Sequence, residues 1–251
     1  MNFKTETNYW LQDISKKAIL QGVLSGMILI LLVVYLFYGS FLPAIFLSPY
    51  LIFHMKFWKQ RQVQKAKQEF RLQFTEAIQA ISASLQVGYS TENALKEAYV
   101  DLQLIYPKET RILKELRYMI RQMEMNITME QIFREFAQRT QDAEVELFAT
   151  VFALAKRTGG DMVEVIRNAV WQIGEKLEVK REIETMMAAK KMEFRIMSMV
   201  PFGMILYIKV SFPTFMEVLY GNVLGAIFMS VCLLLYAGAY EWGRRMMEVE
   251  V

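Results

Sequence analysis

The chain has 251 residues, of which 54% are hydrophobic, and its formal net charge is only +3. A charge this small for the length gives no support to a nucleic-acid-binding protein. The single histidine, His54, and the single cysteine, Cys232, cannot form the first ligand shell of a zinc site. The sequence also lacks the glycine-rich phosphate-binding loop of nucleotide hydrolases. Composition and motifs therefore predict neither a cofactor nor an enzyme.

The charged residues are unevenly distributed, which indicates membrane-spanning helices. Residues 18–53 and 218–240 contain no charged side chain. About 20 apolar helical residues cross a bilayer core, so the second stretch is long enough for one span. A helix over the whole first stretch would be ~54 Å long. We therefore expect it to fold back at Tyr38-Gly39-Ser40, which Pro43 follows, into helices over about 18–37 and 41–58. The first stretch also greatly exceeds the ~7–15 apolar residues of a signal peptide.

A third apolar segment covers about residues 196–216 and contains one basic residue, Lys209. A lysine costs roughly 2.5–3.5 kcal/mol at the centre of a spanning helix, and less near an end, where its side chain reaches the interface. We therefore expect Lys209 to point outward and Pro213 to end the helix. A functional charge within a transport path is the alternative interpretation of Lys209.

Positive charges beside the spans predict the topology. Lys16 and Lys17 precede the first span, and Arg244 and Arg245 follow the last one. Lysine and arginine in short flanks stay on the cytoplasmic side, so a multi-pass inner-membrane protein with both termini in the cytoplasm is expected. The predicted segments are an N-terminal cytoplasmic segment (1–17), a first transmembrane hairpin (18–58), a cytoplasmic helical domain (59–195), a second hairpin (196–242) and a cytoplasmic tail (243–251).

The central region has the apolar spacing of an α-helical bundle. Apolar residues recur every three or four positions, as in helices that bury one face, and no strict alternation typical of strands occurs. The predicted fold class is therefore all-α, with about four transmembrane helices as two hairpins flanking a bundle of about six helices. One apolar stripe is Phe70, Phe74, Ile78, Ile81 and Leu85. Helix starts are expected near Trp58, Thr91, Pro107, Met129, Asp142 and Met162.

Residues suited to ending and capping helices separate the apolar stripes. Gly88 fits a left-handed helix end, and Ser90 fits the cap of the next helix. Thr128 stands three residues before Gln131, which predicts a capping box. These positions predict helix boundaries and carry no catalytic chemistry.

A second set of boundary residues precedes the last bundle helix. Gly159 is expected to end one helix and Asp161 to cap the next, with Glu164 three residues further on. From Met162 the apolar stripe continues into the third membrane segment, where Pro201 can kink a helix without breaking it. One long, nearly continuous helix is therefore predicted to join the bundle to the bilayer.

Basic residues are concentrated just after the first predicted hairpin. They attract anionic lipid head groups and retain this end in the cytoplasm, or they form a docking surface for an acidic partner. This basic cluster consists of Lys56 at the end of the hairpin and, after it, the candidate docking residues Lys59, Arg61, Lys65, Lys67 and Arg71.

The order of these features resembles the type II secretion system F domain family. Within that family the chain is similar to the TadB-like inner-membrane proteins of tight-adherence pilus systems. The resemblance covers residues from about 74 to 242 and is carried by the motif VGYSTENALKEA, by the Thr-Gly-Gly-Asp pattern after an apolar helix, and by a charged helix that leads into a proline. The residues that match the family motifs are Gly88, Ser90, Ala94, Leu95, Thr158, Gly159, Gly160, Asp161, Glu164 and Pro201.

The resemblance implies a platform protein at the base of a pilus or secretion machine. Such a protein contacts a cytoplasmic assembly ATPase, a paralogous membrane subunit and prepilin or pilin subunits, and it forms homo- or hetero-oligomers in the lipid bilayer. The chain departs from the family at Asn126, where a glycine is frequent, and it contains one copy of the bundle. Two other classes share the general features: a small membrane transporter or channel subunit, and a membrane-tethered signalling adaptor.

Overall fold

The computed structural model describes residues 9–10, 16–39, 44–158, 162–220 and 222–247. The regular elements within these ranges are α-helices, which confirms the predicted all-α class. The helices are α1 (Lys16–Tyr38), α2 (Ala44–Gln86), α3 (Thr91–Ile105), α4 (Arg111–Glu124), α5 (Met129–Thr140), α6 (Ala143–Thr158), α7 (Met162–Ser211), α8 (Pro213–Tyr220) and α9 (Val223–Met247).

The chain divides into two compact units. The bundle unit comprises Met1–Asp13 and Arg61–Val179, and the membrane unit comprises Ile14–Gln60 and Lys180–Val251. Both α2 and α7 contribute residues to each unit. The predicted continuity after Met162 is confirmed, because α7 is a single helix that contains Pro201.

The bundle unit has an aromatic core, to which the apolar stripe of α2 contributes. All five predicted stripe residues of α2 are buried. The Phe74 ring lies with its centroid 5.9 Å from that of Phe136 on α5 and 6.0 Å from that of Phe148 on α6. Such aromatic pairs contribute about 0.5–1.5 kcal/mol beyond the burial of their area. The residues that the sequence assigned to the core therefore join α2 to α5 and α6.

Two helix starts and one capping box in the bundle differ from the sequence prediction. No helix begins near Trp58, because α2 runs without a break from Ala44 to Gln86. Pro107 does not begin a helix. Its carbonyl instead accepts a hydrogen bond from the Thr110 amide at 2.9 Å in a turn, and α4 begins at Arg111. Thr128 occupies the N-cap of α5, but its side chain makes no capping hydrogen bond. Gln131, the expected partner, donates to Glu135 at 3.0 Å instead, so the capping box was predicted wrongly.

Three helices in the described part of the chain are long and apolar enough to cross a membrane. They are Ile19–Tyr38 within α1, Met162–Ser211, which is α7, and Val223–Met247, which is α9. The span predicted over 41–58 falls mainly within α2 and is not one of these three, since polar residues follow its short apolar run. A fourth span remains a prediction.

The second predicted hairpin is divided at the expected proline. The apolar segment was predicted over about residues 196–216 with Pro213 ending its helix; α7 ends at Ser211, and Pro213 begins the short helix α8. A glycine allows the close contact between the end of α8 and the start of α9. A Cβ on Gly225 would collide with the backbone carbonyl of Leu219, so only glycine fits there.

Lys209 lies near the C-terminal end of α7 and is bound to α1. Its ammonium donates a hydrogen bond to the backbone carbonyl of Tyr35 at 2.8 Å. The same ammonium lies 3.4 Å from the centroid of the Tyr35 ring. The hydroxyl of Tyr220 donates to the next carbonyl of α1, that of Leu36. Within the membrane unit, these bonds attach α1 to α7 and α8.

Candidate docking and coupling site

The first family motif forms the turn between α2 and α3. Gly88 has a left-handed backbone with φ of +99°, and the Tyr89 amide donates to the Ser84 carbonyl at 3.1 Å. The Ser90 hydroxyl accepts a hydrogen bond from the Asn93 amide at 3.3 Å. The predicted helix end and cap are therefore confirmed.

The residues after this cap have a structural role in the core. Ala94 and Leu95 are completely buried in the first turns of α3. Before the cap, in contrast, Val87 and Tyr89 expose their side chains to solvent. The motif thus combines buried packing residues with an exposed apolar turn.

The second family motif lies between α6 and α7. Thr158 is the last residue of α6, while Gly159, Gly160 and Asp161 lie outside the described residues. Glu164 is exposed in the first turn of α7 and pairs with Arg167 at 3.7 Å. Because both side chains are more than half exposed, this pair contributes little to stability.

The basic cluster does not form one uniform surface. Lys59, Arg61 and Lys65 are exposed, whereas the ammonium of Lys67 lies over the Trp10 ring at 5.8 Å. Arg71 is mostly buried and pairs with carboxylates inside the bundle. Of the five predicted docking residues, Arg61 and Lys65 are the exposed ones in the bundle unit.

Arg71 belongs to an ionic network that joins three helices, which we call the α6 network; Asp142 is its fully buried member, and Lys176 is exposed. Its Nε lies 2.8 Å from Oδ2 of Asp142 and 3.2 Å from Oε2 of Glu144. Lys176 on α7 reaches Oε1 of the same glutamate at 3.2 Å. The side chain of Asp142 has no exposed area, whereas that of Arg71 retains 22%. The network thus joins α2 firmly to the start of α6 through Arg71, while the exposed Lys176 adds a weaker contact from α7 within the bundle unit.

The α6 network also caps α6. Oδ1 of Asp142 accepts a hydrogen bond from the Glu144 amide at 3.2 Å. The backbone carbonyl of Asp142 accepts another from the Glu146 amide at 3.0 Å. A carboxylate at a helix N-terminus interacts favourably with the helix dipole. The predicted helix start near Asp142 is confirmed, and this aspartate supplies the cap.

The two carboxylates of the α6 network have opposite pKa shifts. Burial disfavours the charged form of Asp142, and together with the adjacent Glu144 it raises the pKa of that aspartate, against the effect of Arg71. Burial acts in the same sense on Glu144. There the hydrogen bond with Asp142 and the charges of Arg71 and Lys176 outweigh it and lower the pKa. Glu144 is thus the member of the pair that holds the negative charge most firmly.

The N-terminal residues Tyr9 and Trp10 are anchored in the bundle unit. Trp10 is buried against Phe70, and the Tyr9 hydroxyl donates to Glu115 at 2.9 Å. The guanidinium of Arg111 lies within 5 Å of both rings. Burial and the Glu115 carboxylate raise the pKa of Tyr9 far above its usual range. The sequence analysis missed this anchor, although an aromatic pair in a polar segment was a signal.

The sequence analysis also missed an exposed apolar strip on α3. Val100, Leu104 and Ile105 expose half or more of their side chains, and Leu104 is 84% exposed. Val100 and Leu104 lie on one face because they are four residues apart. The buried residues of α3, Ala94, Leu95, Ala98 and Leu102, lie elsewhere on the helix. An apolar strip outside the core stripe is typical of a protein-interaction surface.

Comparison with known proteins identifies a family and no individual relative. The model of the family described as "Type II secretion system (T2SS), protein F" matches residues 77–208, more than half of the chain. The matched residues run from the buried part of α2 to the apolar end of α7. No curated protein and no solved structure matches the chain.

Proposed function

Because the chain belongs to the type II secretion system protein F family, we propose that it is the inner-membrane platform of a pilus-assembly or type II-like secretion machine. The tight-adherence (Tad) pilus system, with its TadB-like platform proteins, is the proposed setting. The platform carries no active site of its own. A separate cytoplasmic ATPase supplies the energy, and pilin subunits leave the membrane beside the platform. The family match is the observation that carries this proposal.

We further propose four spans, with both termini and the bundle unit in the cytoplasm. α1, α7 and α9 supply three spans, and the start of α2 supplies the fourth. The distribution of lysine and arginine supports this topology, because basic flanks remain on the cytoplasmic side. A paralogous membrane subunit or a second copy would complete the platform.

The bundle unit is proposed to receive force from the ATPase and to pass it to the membrane helices. Two features support this role: α2 and α7 each contribute to both units, and the α6 network joins these helices through Arg71 and Lys176. The proposed contact surface for the ATPase comprises the α3 strip and the exposed basic residues Arg61 and Lys65.

An insertion in α7 tests the coupling. Three glycines inserted between Val179 and Lys180, where the bundle unit ends, interrupt the helix because glycine disfavours helical backbone by about 1 kcal/mol per residue. We expect a strain that carries this variant in place of the wild-type gene to make the protein at normal levels but to assemble no pili. Surface pilin is measured by shearing and immunoblotting, with inner-membrane pilin as the reference.

The same three glycines placed after Lys108, in the turn between α3 and α4, provide the matched control. This insertion lengthens a solvent-exposed turn, so assembly is expected to continue. Normal pilus assembly by the α7 variant would contradict the coupling mechanism. Unchanged pilin export after deletion of the whole gene would contradict the platform role itself.

A further inference from the structure

Two glycines of α1 make room for large side chains of α2 in the membrane unit. A Cβ on Gly22 would lie 2.9 Å from the Trp58 ring, and one on Gly26 would lie 2.9 Å from the His54 ring. Because glycine has no Cβ, nothing on the α1 side stands between the helix backbone and these two rings. Large side chains of α2 therefore pack on the glycine face of α1 and leave a groove beside it.

This open groove has a volume of about 490 Å³. Three apolar side chains line it: Val23 from α1, and Leu51 and Met55 from α2. Lys56 and Lys59 complete the lining. The groove thus combines an apolar wall with two cationic side chains at one end.

The two lysines are available to bind an anion. Both are exposed, and within the described ranges neither lies within ion-pair distance of a carboxylate. They are three residues apart on one helix, so they project from neighbouring positions of the same face. Trp58 lies between them in sequence, and tryptophan favours the level of the lipid head groups.

We propose that the groove binds one anionic glycerophospholipid of the inner leaflet, such as phosphatidylglycerol. The phosphate lies between Lys56 and Lys59, and an acyl chain follows Val23, Leu51 and Met55. Basic pockets between membrane helices on the cytoplasmic side recognise acidic head groups in this way. The inference uses the proposed topology of the first hairpin but not the platform role.

Lipid binding to the purified full-length protein tests the site. The protein in mild detergent receives an equimolar mixture of phosphatidylglycerol and phosphatidylcholine, and retained lipids are counted by native mass spectrometry. We expect one phosphatidylglycerol to be retained in preference to phosphatidylcholine. Since both lysines attract the phosphate, the double variant Lys56→Gln/Lys59→Gln is expected to weaken binding roughly tenfold or more.

The charge control is Lys190→Gln/Lys191→Gln, which removes the same charge from α7 and is expected to leave binding unchanged. Val23→Phe tests the apolar wall, because the larger ring fills the groove without altering charge; Leu24→Phe, at a neighbouring exposed position, is its control. Only Val23→Phe is expected to reduce retention.

Several results would overturn the proposal. Equal retention of the two lipids would remove the preference for an anion. Equal loss in the two lysine double variants would reduce the effect to general surface charge. Competition by free glycerol 3-phosphate as strong as that by the lipid would show that the acyl chain is not bound. None of these results depends on pilus assembly, so they are distinguishable from failure of the platform role.

Discussion

Replacing Arg71 by methionine tests whether this residue stabilises the bundle or serves as a docking residue. The change retains most of the side-chain volume but removes the positive partner of Asp142. Breaking a buried ion pair by removing one partner costs about 3–5 kcal/mol. The side chain of Arg71 is 22% exposed, whereas that of Asp142 is fully buried. Because the pair is partly exposed to solvent, we expect a loss at the lower end of this range, about 3 kcal/mol. For a chain of this size, that loss corresponds to a fall in Tm of roughly 6–12 °C.

The double-mutant cycle identifies the cause of the loss. Asp142→Asn removes the buried charge and keeps an oxygen that accepts the Glu144 amide at the start of α6. Adding it to Arg71→Met is therefore expected to recover most of the lost stability, with a coupling free energy of about 2 kcal/mol. Scanning fluorimetry of the full-length protein in detergent supplies the four Tm values. Lys114→Met, at an exposed pair with Glu109, is the control, and its expected effect is within about 0.5 kcal/mol.

The pH dependence gives a second measure of the same contact. Removing Arg71 removes an effect that lowers the pKa of Asp142, so in the variant this pKa rises further. A carboxyl whose pKa is raised by folding contributes stability below its unfolded pKa and loses it as pH rises through the folded value. The Tm of Arg71→Met should therefore approach that of the wild type as pH falls from 7 towards 4. An unchanged Tm in Arg71→Met at pH 7, with reduced ATPase binding, would refute the structural role and support docking.

Three further predictions concern a left-handed residue, a crowded glycine and the α3 strip. Gln141 has φ of +48°, so Gln141→Gly should raise stability by about 1 kcal/mol, whereas Gln138→Gly within α5 should lower it by about the same amount; melting curves distinguish the two signs. Gly225→Ala should greatly reduce the yield of folded protein, because its Cβ meets a backbone carbonyl. Gly238→Ala, whose Cβ meets nothing within 4 Å, should leave the yield unchanged. Size-exclusion chromatography measures the yield of both variants. Leu104→Ser should reduce co-purification of the assembly ATPase without lowering Tm, and Tyr207→Ser, at an exposed site in the apolar end of α7, should not.

The sequence predicted the long elements well, because their signals are local. The absence of charge in residues 18–53 and the spacing from Phe70 to Leu85 depend only on neighbours along the chain. Gly88 and Ser90 were equally readable, because a left-handed end and a cap each involve a few consecutive residues. The packing of Trp58 and His54 on Gly22 and Gly26 was missed, although two glycines four residues apart in a predicted span were a signal.

The role of Arg71 could not be predicted from the sequence. Its partner Asp142 lies 71 positions away along the chain, and periodicity places a residue on a helix face without naming what it meets. Membership of a basic cluster therefore suggested a surface role for a side chain that the fold had buried. The anchor formed by Tyr9 and Trp10 was missed for the same reason, since Glu115 and Arg111 belong to a distant helix.

The position of the α6 network along the chain limits how the bundle can pass on a movement. Arg71 lies about ten residues into the bundle unit on α2, and Lys176 lies close to its last residue, Val179, on α7. Both side chains pair with Glu144. The Arg71 contact is the stronger of the two, because Lys176 is mostly exposed. A partner that moved the start of α6 would therefore act first on α2, and on α7 more weakly. Glu144→Gln should therefore impair pilus assembly more than its effect on Tm explains, and assembly that follows Tm alone would argue against transmission through this network.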